Sequence, residues 1–414
     1  MSSSPTAPAE PQADQPQSLI AQAGKLYFPI ALIARLPFAM NVVGVLTLVV
    51  AARGSIATGG YTAAAVGLGT ALAGPLLGAA ADRFGQRYVM LLSGLGNAVA
   101  LLVMAWVAFA PVSDGWLLAV AVLVGATAPQ VGPMSRTRLV TYITRMPKEK
   151  RGKTLQSTFA YESAVDEIVF IFGPVIVGLL ATTLNPAAPL IGAAILTLVF
   201  VTAFALHHSA NVTLHEDRAS QHIAQAPARE LFRFRIMVVV LGMLATGFFF
   251  GATLTSLTSW MEDRGAAEQT GLLYGLMGVT SAALALGVAL FPARFSLTAR
   301  WLTFASIMTA GSVLIAFADS MPTMMIALAI TGIGIGPVIV NGYTLATERT
   351  PRGRSATVMT MMGSAVVVGQ SAASAIVGAI AEGAGSAVAL WAPLTSAAIL
   401  LLLGVANAAI TRSR

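Results

Sequence analysis

Apolar residues in this chain come in long runs, and each run is followed by a short polar break. A helix needs about 20 mostly apolar residues to cross the hydrocarbon core of a membrane, and these runs reach that length. Lipid offers no partners to backbone N–H and C=O groups, so segments of this kind must be helical. The pattern predicts twelve spans, numbered in chain order, at residues 28–51, 60–81, 88–111, 115–137, 155–183, 186–207, 236–260, 269–293, 299–318, 321–346, 357–381 and 386–410.

The spans fall into two groups of six on either side of a polar segment at 208–235. The tetrapeptide RGKT at 151–154 recurs 201 residues later as RGRS at 352–355, and both copies precede an apolar span. Weak repetition at one offset indicates a duplicated unit. The predicted fold is therefore an all-α integral membrane protein with two six-helix bundles, at 25–207 and 236–414, which a central cytoplasmic linker joins.

Composition agrees with this fold class, since 56% of the residues are hydrophobic and only 10% are charged. Soluble domains average about 25% charged residues. Residues 1–24 are rich in Pro, Ser, Gln and Ala, and are predicted to be a disordered cytoplasmic tail. The chain has no cysteine, and its four histidines show no metal-ligand pattern within a span. No nucleophile–base set is apparent, so we expect neither an enzyme nor a cofactor or metal.

Basic residues are strongly sorted between the two sides of the predicted topology. Twelve spans place both termini on one side, and that side collects all 24 lysines and arginines except Arg35, Arg53 and Arg264. Such an excess marks the cytoplasmic side. We therefore expect a multi-pass protein of the plasma (cytoplasmic) membrane with both termini cytoplasmic. The net charge of +7 reflects this orientation, and we expect no nucleic-acid partner.

A short charged break joins spans 2 and 3, and it reads GAAADRFGQR at residues 78–87. Its spacing, Gly-x-x-x-Asp-Arg-x-Gly-x-Arg, resembles the loop signature of the major facilitator superfamily. The resemblance implies the major facilitator fold, in which two bundles rock around a central cavity by alternating access. The matching residues are Gly78, Asp82, Arg83, Gly85 and Arg87.

The same resemblance implies a cytoplasmic gate. In that family the loop aspartate helps to latch the outward-open state, near the cytoplasmic ends of the fourth and eleventh helices. This expectation places Asp82 near Arg136 or Arg138, and also near the start of span 11 around Ser355. A carboxylate at a helix N-terminus is in any case favoured by the helix dipole.

Four ionisable residues lie well inside predicted spans, namely Arg35 in the first and Glu162, Asp166 and Glu167 in the fifth. Burying one such group at mid-bilayer costs about 2.5–3.5 kcal/mol on insertion scales, so these residues are candidates for function. Glu162 and Asp166 are one turn apart on the same helix face. We hypothesise that Arg35 pairs with Glu162 or Asp166, and that at least one acid binds and releases a proton during transport. The alternative is a static ion pair that ties span 1 to span 5.

Uncharged polar residues within the spans are candidates for lining a cavity. The alternative for each is a hydrogen bond between helices, which contributes about 0.6 kcal/mol on average. The candidates are Asn41, Gln130, Asn341 and Gln370.

A second motif is matched in part, because Gly173-Pro174 followed by Gly178 resembles the fifth-helix signature of drug:proton antiporters. This resemblance favours proton-coupled efflux of small apolar, cationic or anionic compounds. The expected partners are a small-molecule substrate, protons and the lipid bilayer, with the chain acting as a monomer. Uptake of a sugar or organic acid by proton symport is the alternative, as is movement of lipids between leaflets.

Overall fold

The computed structural model describes residues 18–211, 226–266, 270–292 and 294–412 of the protein. These residues are mostly helical, and no strand occurs among them. Twelve segments are long and apolar enough to cross a membrane, which confirms the predicted all-α integral membrane fold. The spans are Tyr27–Arg53, Thr58–Phe84, Gln86–Val107, Asp114–Thr144, Lys148–Thr183, Ala188–Leu206, Phe234–Glu262, Thr270–Leu290, Leu297–Ala316, Met321–Arg349, Ser355–Ala384 and Ser386–Thr411.

Spans 4 and 5 extend further than the sequence pattern predicts, toward the loop that joins them. Span 4 consists of two helices, Asp114–Ala126 and Val131–Thr144, separated by a break that contains Pro129. Span 5 is a single helix of 36 residues, Lys148–Thr183. Hydropathy underestimates span 4 because its polar residues in this stretch are buried against protein rather than exposed to lipid.

Span 1 is also made of two helices, Tyr27–Ile33 and Leu36–Arg53. Arg35 is the N-cap of the second helix, and Pro37 in its first turn has no N–H to donate. The Arg35 side chain is only 4% exposed, so it lies inside the bundle rather than at the lipid surface. The break in span 1 therefore falls where a buried cation needs partners.

The polar segments differ in part from their predictions. Of the predicted disordered tail, residues 1–17 lie outside the described residues, whereas Leu19–Ala23 is a short helix that packs against span 4. Five residues are too few for a sequence pattern to reveal such a helix. Of the predicted linker, residues 212–225 also lie outside the described part, and Ala228–Phe232 forms a 3-10 helix. The domain limits at these segments stay predictions.

The two bundles pack against each other along spans 2 and 11, and also where span 5 meets spans 8 and 10. One end of the contact between spans 2 and 11 lies at Gly78 and the start of span 11. A Cβ added at Gly78 would lie 2.1 Å from Thr360 Oγ1 and 2.8 Å from the carbonyl oxygen of Ala356, and Gly74 faces Ser364 equally closely. Glycine therefore allows the bundles to approach. This end is called the basic end, because its loops and adjoining helix ends carry Arg83, Arg87, Arg145, Lys148, Arg349 and Arg352.

Replacing Gly78 by alanine should weaken the contact between the bundles at the basic end. The new methyl group meets backbone atoms that cannot rotate away, and overpacking of this kind costs about 1–3 kcal/mol. The chain has no native cysteine, so Ser364→Cys provides a single thiol inside the contact. Its rate of labelling by N-ethylmaleimide should rise several-fold in the Gly78→Ala background.

Gly60 supplies the matched control, because it lies on the same span and a Cβ there has no neighbour within 4 Å. Gly60→Ala should leave the labelling rate of Ser364→Cys unchanged. An unchanged rate in Gly78→Ala would show that the close approach at this glycine does not hold the basic end closed.

Candidate functional site

Two arginines and two acids from three spans form a charge cluster in the N-terminal bundle, made of Arg35, Arg136, Glu162 and Asp166. Arg35 Nη2 donates to Glu162 Oε2 at 2.5 Å, and Arg35 Nη1 donates to Asp166 Oδ1 at 3.0 Å. Arg136 Nη2 donates to Asp166 Oδ2 at 2.5 Å. Arg35 thus contacts both of the acids that the sequence offered as its partners, and Asp166 bridges the two arginines.

Arg136 is the member that sequence reasoning missed, since it was assigned to the cytoplasmic gate at the end of span 4. Span 4 continues to Thr144, which places Arg136 two turns inside it, with 1% of its surface exposed. The available signal was the local sequence: Arg136 and Arg138 alternate with small polar residues, as expected for buried positions that need partners. With Arg136 included, the cluster contains equal numbers of positive and negative side chains.

The hydroxyl groups of Ser135 and Tyr27 form a hydrogen-bonded chain that ends on Glu162. Ser135 Oγ donates to Glu162 Oε1 at 3.0 Å, and Tyr27 OH lies 2.7 Å from Ser135 Oγ. Because serine has one hydroxyl hydrogen, Tyr27 must be the donor in that second contact. Glu162 is fully buried and accepts hydrogen bonds from both Arg35 and Ser135, which fixes the position of its carboxyl group.

Asp166 differs from its partners in its access to solvent. Its side chain is 29% exposed, against 4% for Arg35 and 1% for both Arg136 and Glu162. It also lies near the middle of the long helix of span 5 and is surrounded by protein. Asp166 is therefore the acid of the cluster whose side chain remains partly exposed.

Gly132 leaves room beside the charges. It lies in the first turn of the second helix of span 4, and a Cβ there would be 3.6 Å from Asp166 Oδ1, 3.4 Å from Arg136 Nη1 and 3.9 Å from Arg35 Nε. The positive end of that helix dipole is therefore adjacent to the cluster. Interrupted helices with such ends mark binding sites in many transporters.

Arg136 also contacts the other bundle. Its guanidinium carbon lies 3.9 Å from the centre of the Tyr343 ring on span 10, within the range of a cation–π interaction. Tyr343 is 4% exposed and packs among buried residues of both bundles, including Phe159 on span 5. The charge cluster and the contact between the bundles therefore share one side chain.

Asp82 of the loop signature lies at the N-terminus of span 11, as the resemblance implied. Its Oδ1 accepts from Ala356 N at 2.9 Å, and its Oδ2 accepts from Thr357 N at 2.8 Å and Thr357 Oγ1 at 2.6 Å. Two backbone donors that the helix leaves unsatisfied are bound in this way. No hydrogen bond from Asp82 to Arg136 or Arg138 occurs among the described residues.

The other signature residues are placed around the same turn. Gly85 has φ 90°, a backbone conformation that favours glycine, and separates spans 2 and 3. Arg83 is exposed and lies over the Phe84 ring. Arg87 is half-buried. Arg138 is fully buried within the N-terminal bundle, where it donates to Gln86 Oε1, the Phe204 carbonyl oxygen and Ser209 Oγ.

The remaining predicted site residues do not join the cluster through the contacts found. Gln130 donates to the carbonyl oxygen of Ala128 beside it, and Asn341 donates to that of Leu297 on span 9. Asn41 is 2% exposed and neither of its amide atoms has a partner among the described residues, while Gln370 is half-buried. The side chain of Glu167 lies outside the described residues. These contacts leave open the cavity-lining role predicted for the four amides.

Comparison with known families gives a match over most of the chain. The model of the Major Facilitator Superfamily matches residues 27–373. Among curated proteins, the chain is similar to the multidrug efflux pump Tap of Mycobacterium tuberculosis, with 25% identity over 333 residues. That alignment covers 76% of this chain and 77% of the relative.

Solved structures give the same architecture. The human organic anion transporter MFSD10 (TETRAN) superposes with a TM-score of 0.71 at 18% identity, covering 94% of this chain and 100% of that chain. A bacterial homologue of the iron transporter ferroportin, in an outward-facing state with soaked iron, gives a TM-score of 0.69 at 13% identity, covering 93% and 98%. At these identities the likeness shows a shared fold.

Neutralising Asp82 should loosen the basic end. Asp82→Asn removes an acceptor and the negative charge at the start of span 11, and a hydrogen bond to a charged group contributes about 1.5–3 kcal/mol. Spin labels on Glu149→Cys and Arg352→Cys, which are exposed in opposite bundles at this end, report the separation. Double electron–electron resonance should show a larger fraction of long distances in Asp82→Asn.

The control is Asp114→Asn, an exposed aspartate in the first turn of span 4 that is remote from the contact. It should give the same distance distribution as the labelled parent. A parent-like distribution in Asp82→Asn as well would contradict the role assigned to the Asp82 carboxylate.

The two acids of the cluster should differ in their effect on stability. Glu162→Gln leaves the buried charge of Arg35 only partly compensated. Breaking a buried ion pair costs about 3–5 kcal/mol of stability. Asp166→Asn should cost less, because that side chain is 29% exposed. Thermal unfolding of the purified protein should therefore give a lower Tm for Glu162→Gln than for Asp166→Asn.

Two further variants make this comparison specific. Glu149→Gln removes an exposed acid and should leave Tm near that of the wild type. The double variant Arg35→Gln/Glu162→Gln removes both charges of the sealed pair and should recover part of the loss. A Tm for Asp166→Asn at or below that of Glu162→Gln would contradict the assignment of Glu162 as the structural acid.

Proposed function

The chain belongs to the Major Facilitator Superfamily, and from that premise we propose a proton-coupled secondary active transporter of small organic molecules. It works by alternating access, as the two bundles part at one end of the protein and close at the other. One observation carries the proton coupling: Asp166 is a carboxylate with partial solvent access, buried deep among charges in the middle of a span. Ionisable groups in such places are functional by default.

The different surroundings of Glu162 and Asp166 support the proposed proton coupling. Glu162 is fully buried and has two donors, so it serves to fix the Arg35 side chain. Among the described residues, Asp166 accepts from the guanidinium groups of Arg35 and Arg136, and its side chain is partly exposed. We assign Asp166 as the proton-binding group and Glu162 as the residue that positions it through Arg35.

The state of the protein is proposed to be closed toward the cytoplasm. The basic end is the cytoplasmic side by the excess of lysine and arginine, which places both termini in the cytoplasm. In this structure the basic end is held together by Asp82 at the start of span 11 and by the close packing at Gly78. In this state the partly exposed Asp166 side chain is proposed to be accessible from outside the cell. We expect one chain to be sufficient for function.

Two directions of transport are supported by different observations. The similarity to Tap, a multidrug efflux pump, favours export of small apolar, cationic or anionic compounds. The pairing of Asp166 with two arginines favours the second candidate, proton symport of an organic acid, since a cation would have to displace both guanidinium groups. The proton coupling is common to both candidates.

Proton coupling predicts a specific loss in Asp166→Asn. Reconstituted into liposomes, the wild type should move a substrate against its gradient when a pH gradient is imposed, because Asp166 is loaded on one side and emptied on the other. Asp166→Asn should lose this driven transport and keep counterflow exchange, which needs no net proton movement. A pH-sensitive dye inside the liposomes measures the accompanying proton flux.

Glu382→Gln is the matched control, because Glu382 is an exposed acid on span 11, outside the charge cluster. It should retain both driven transport and counterflow. Full gradient-driven transport by Asp166→Asn would refute the assignment of Asp166 as the coupling residue.

A further inference from the structure

We infer that the transported compound carries an anionic group, and that this group binds Arg35 and Arg136 in place of Asp166 when Asp166 is protonated. The inference rests on the proposed proton coupling and names the substrate class for the same site. It also fixes how proton and substrate bind relative to each other: each strengthens the binding of the other.

The first support is the geometry of the two guanidinium groups. Each donates to one oxygen of the Asp166 carboxylate, so a single carboxylate already spans the gap between them. Each also has an Nε atom that is buried and has no partner among the described residues. Planar guanidinium groups suit carboxylate, sulfonate and phosphate groups, which present two or three oxygens. Asp166 therefore occupies the position that a substrate anion would take.

The second support is the space around Gly132. The ideal Cβ position there lies 3.4–3.9 Å from Arg136 Nη1, Asp166 Oδ1 and Arg35 Nε, in van der Waals contact with all three, so glycine leaves the space of that methyl group free beside the charges. The same residue belongs to the first turn of a 14-residue helix, Val131–Thr144, whose positive end favours an anion. The open side of the arginine pair is thus electropositive.

The third support is the balance of charge. With both acids ionised the cluster has two positive and two negative side chains. Protonation of Asp166 leaves one positive charge of the cluster uncompensated, which is unfavourable unless an anion enters. A bound cation would add a positive charge in either protonation state. Only an anion restores neutrality, so the cluster selects anions and couples them to a proton.

Among the residues whose side chains the structure describes, four charged or titratable groups surround Asp166. Arg35 approaches from span 1, Arg136 from span 4 and Glu162 from the same helix, while Tyr343 on span 10 covers the far side of Arg136. Glu162 keeps its two donors and its buried position throughout, so Asp166 is the acid that changes its proton.

Co-binding has a direct consequence for transport. Proton and anion cross together, one of each, and the loaded carrier has the same net charge as the empty one. Transport is then electroneutral, so the pH gradient and the gradient of the anion itself set its direction. Because the proton strengthens binding of the anion, this coupling favours the symport candidate. An exporter driven by proton exchange needs the opposite, a proton that weakens substrate binding.

The test uses three probes that share one ring system: 1-naphthaleneacetate, its neutral amide 1-naphthaleneacetamide, and the cation 1-naphthylmethylammonium. Binding to the purified protein is measured as the ligand-dependent shift in Tm. For wild type, affinity for the acetate should rise as pH falls, by up to about tenfold per pH unit for one linked proton. Asp166→Asn, which mimics the protonated acid, should bind the acetate tightly without this pH dependence and bind the amide and the cation weakly.

A double variant tests whether the arginine pair provides the preference. Arg136→Gln/Asp166→Asn leaves Arg35 paired with Glu162 and a neutral cluster, so it should fold but lose the preference for the acetate over the amide. Its own Tm without ligand verifies that it is folded. Equal stabilisation of Asp166→Asn by acetate and amide, or by neither, would overturn the inference.

The liposome experiment separates failure of this inference from failure of the proposed function. Loss of proton-driven transport in Asp166→Asn together with equal binding of the acetate and the amide would retain the coupling role and reject the anion. Proton-driven transport in Asp166→Asn together with a clear preference for the acetate would retain the anion site and reject the coupling role.

Discussion

Charges placed deep in a membrane protein must be compensated, and this requirement organises the N-terminal bundle. Arg35 cannot remain unpaired inside span 1, so spans 4 and 5 supply Glu162, Asp166 and Ser135 around it. The second positive charge, on Arg136, is needed because Arg35 alone cannot neutralise two acids. Breaks in spans 1 and 4 fall next to these residues, which indicates that backbone regularity is given up where polar side chains must meet.

The same compensation connects the site to the rest of the protein. Arg136 has one face on the Asp166 carboxylate and lies over the ring of Tyr343 in the other bundle. A change in the charge of Asp166 therefore alters the surroundings of a side chain that is itself part of the contact between the bundles. Alternating access requires a link of this type, because a bound proton or solute shifts an equilibrium only as far as it interacts differently with the two states.

Much of this arrangement is predictable from the sequence, and the limits have physical causes. The length of the apolar runs yields the twelve spans, and the rarity of charge within them identifies Arg35, Glu162 and Asp166. Arg136 is not found in this way, because hydropathy cannot tell a polar residue buried against protein from one in a loop. The placement of Gly132 beside the cluster depends on the break near Pro129, whose direction no sequence pattern specifies.

The spacing of the loop signature follows from the geometry of the closed basic end. Gly78 and Asp82 are four residues apart, so both face span 11 from the same side of span 2. Gly78 allows the helices to approach, and this approach brings Asp82 within reach of the N–H groups of Ala356 and Thr357. Each of those hydrogen bonds to the charged carboxylate contributes about 1.5–3 kcal/mol, and water can replace them when the bundles part. Small residues and hydrogen bonds that water can replace form a contact that can open repeatedly. Large apolar side chains buried over the same area would keep the transporter closed.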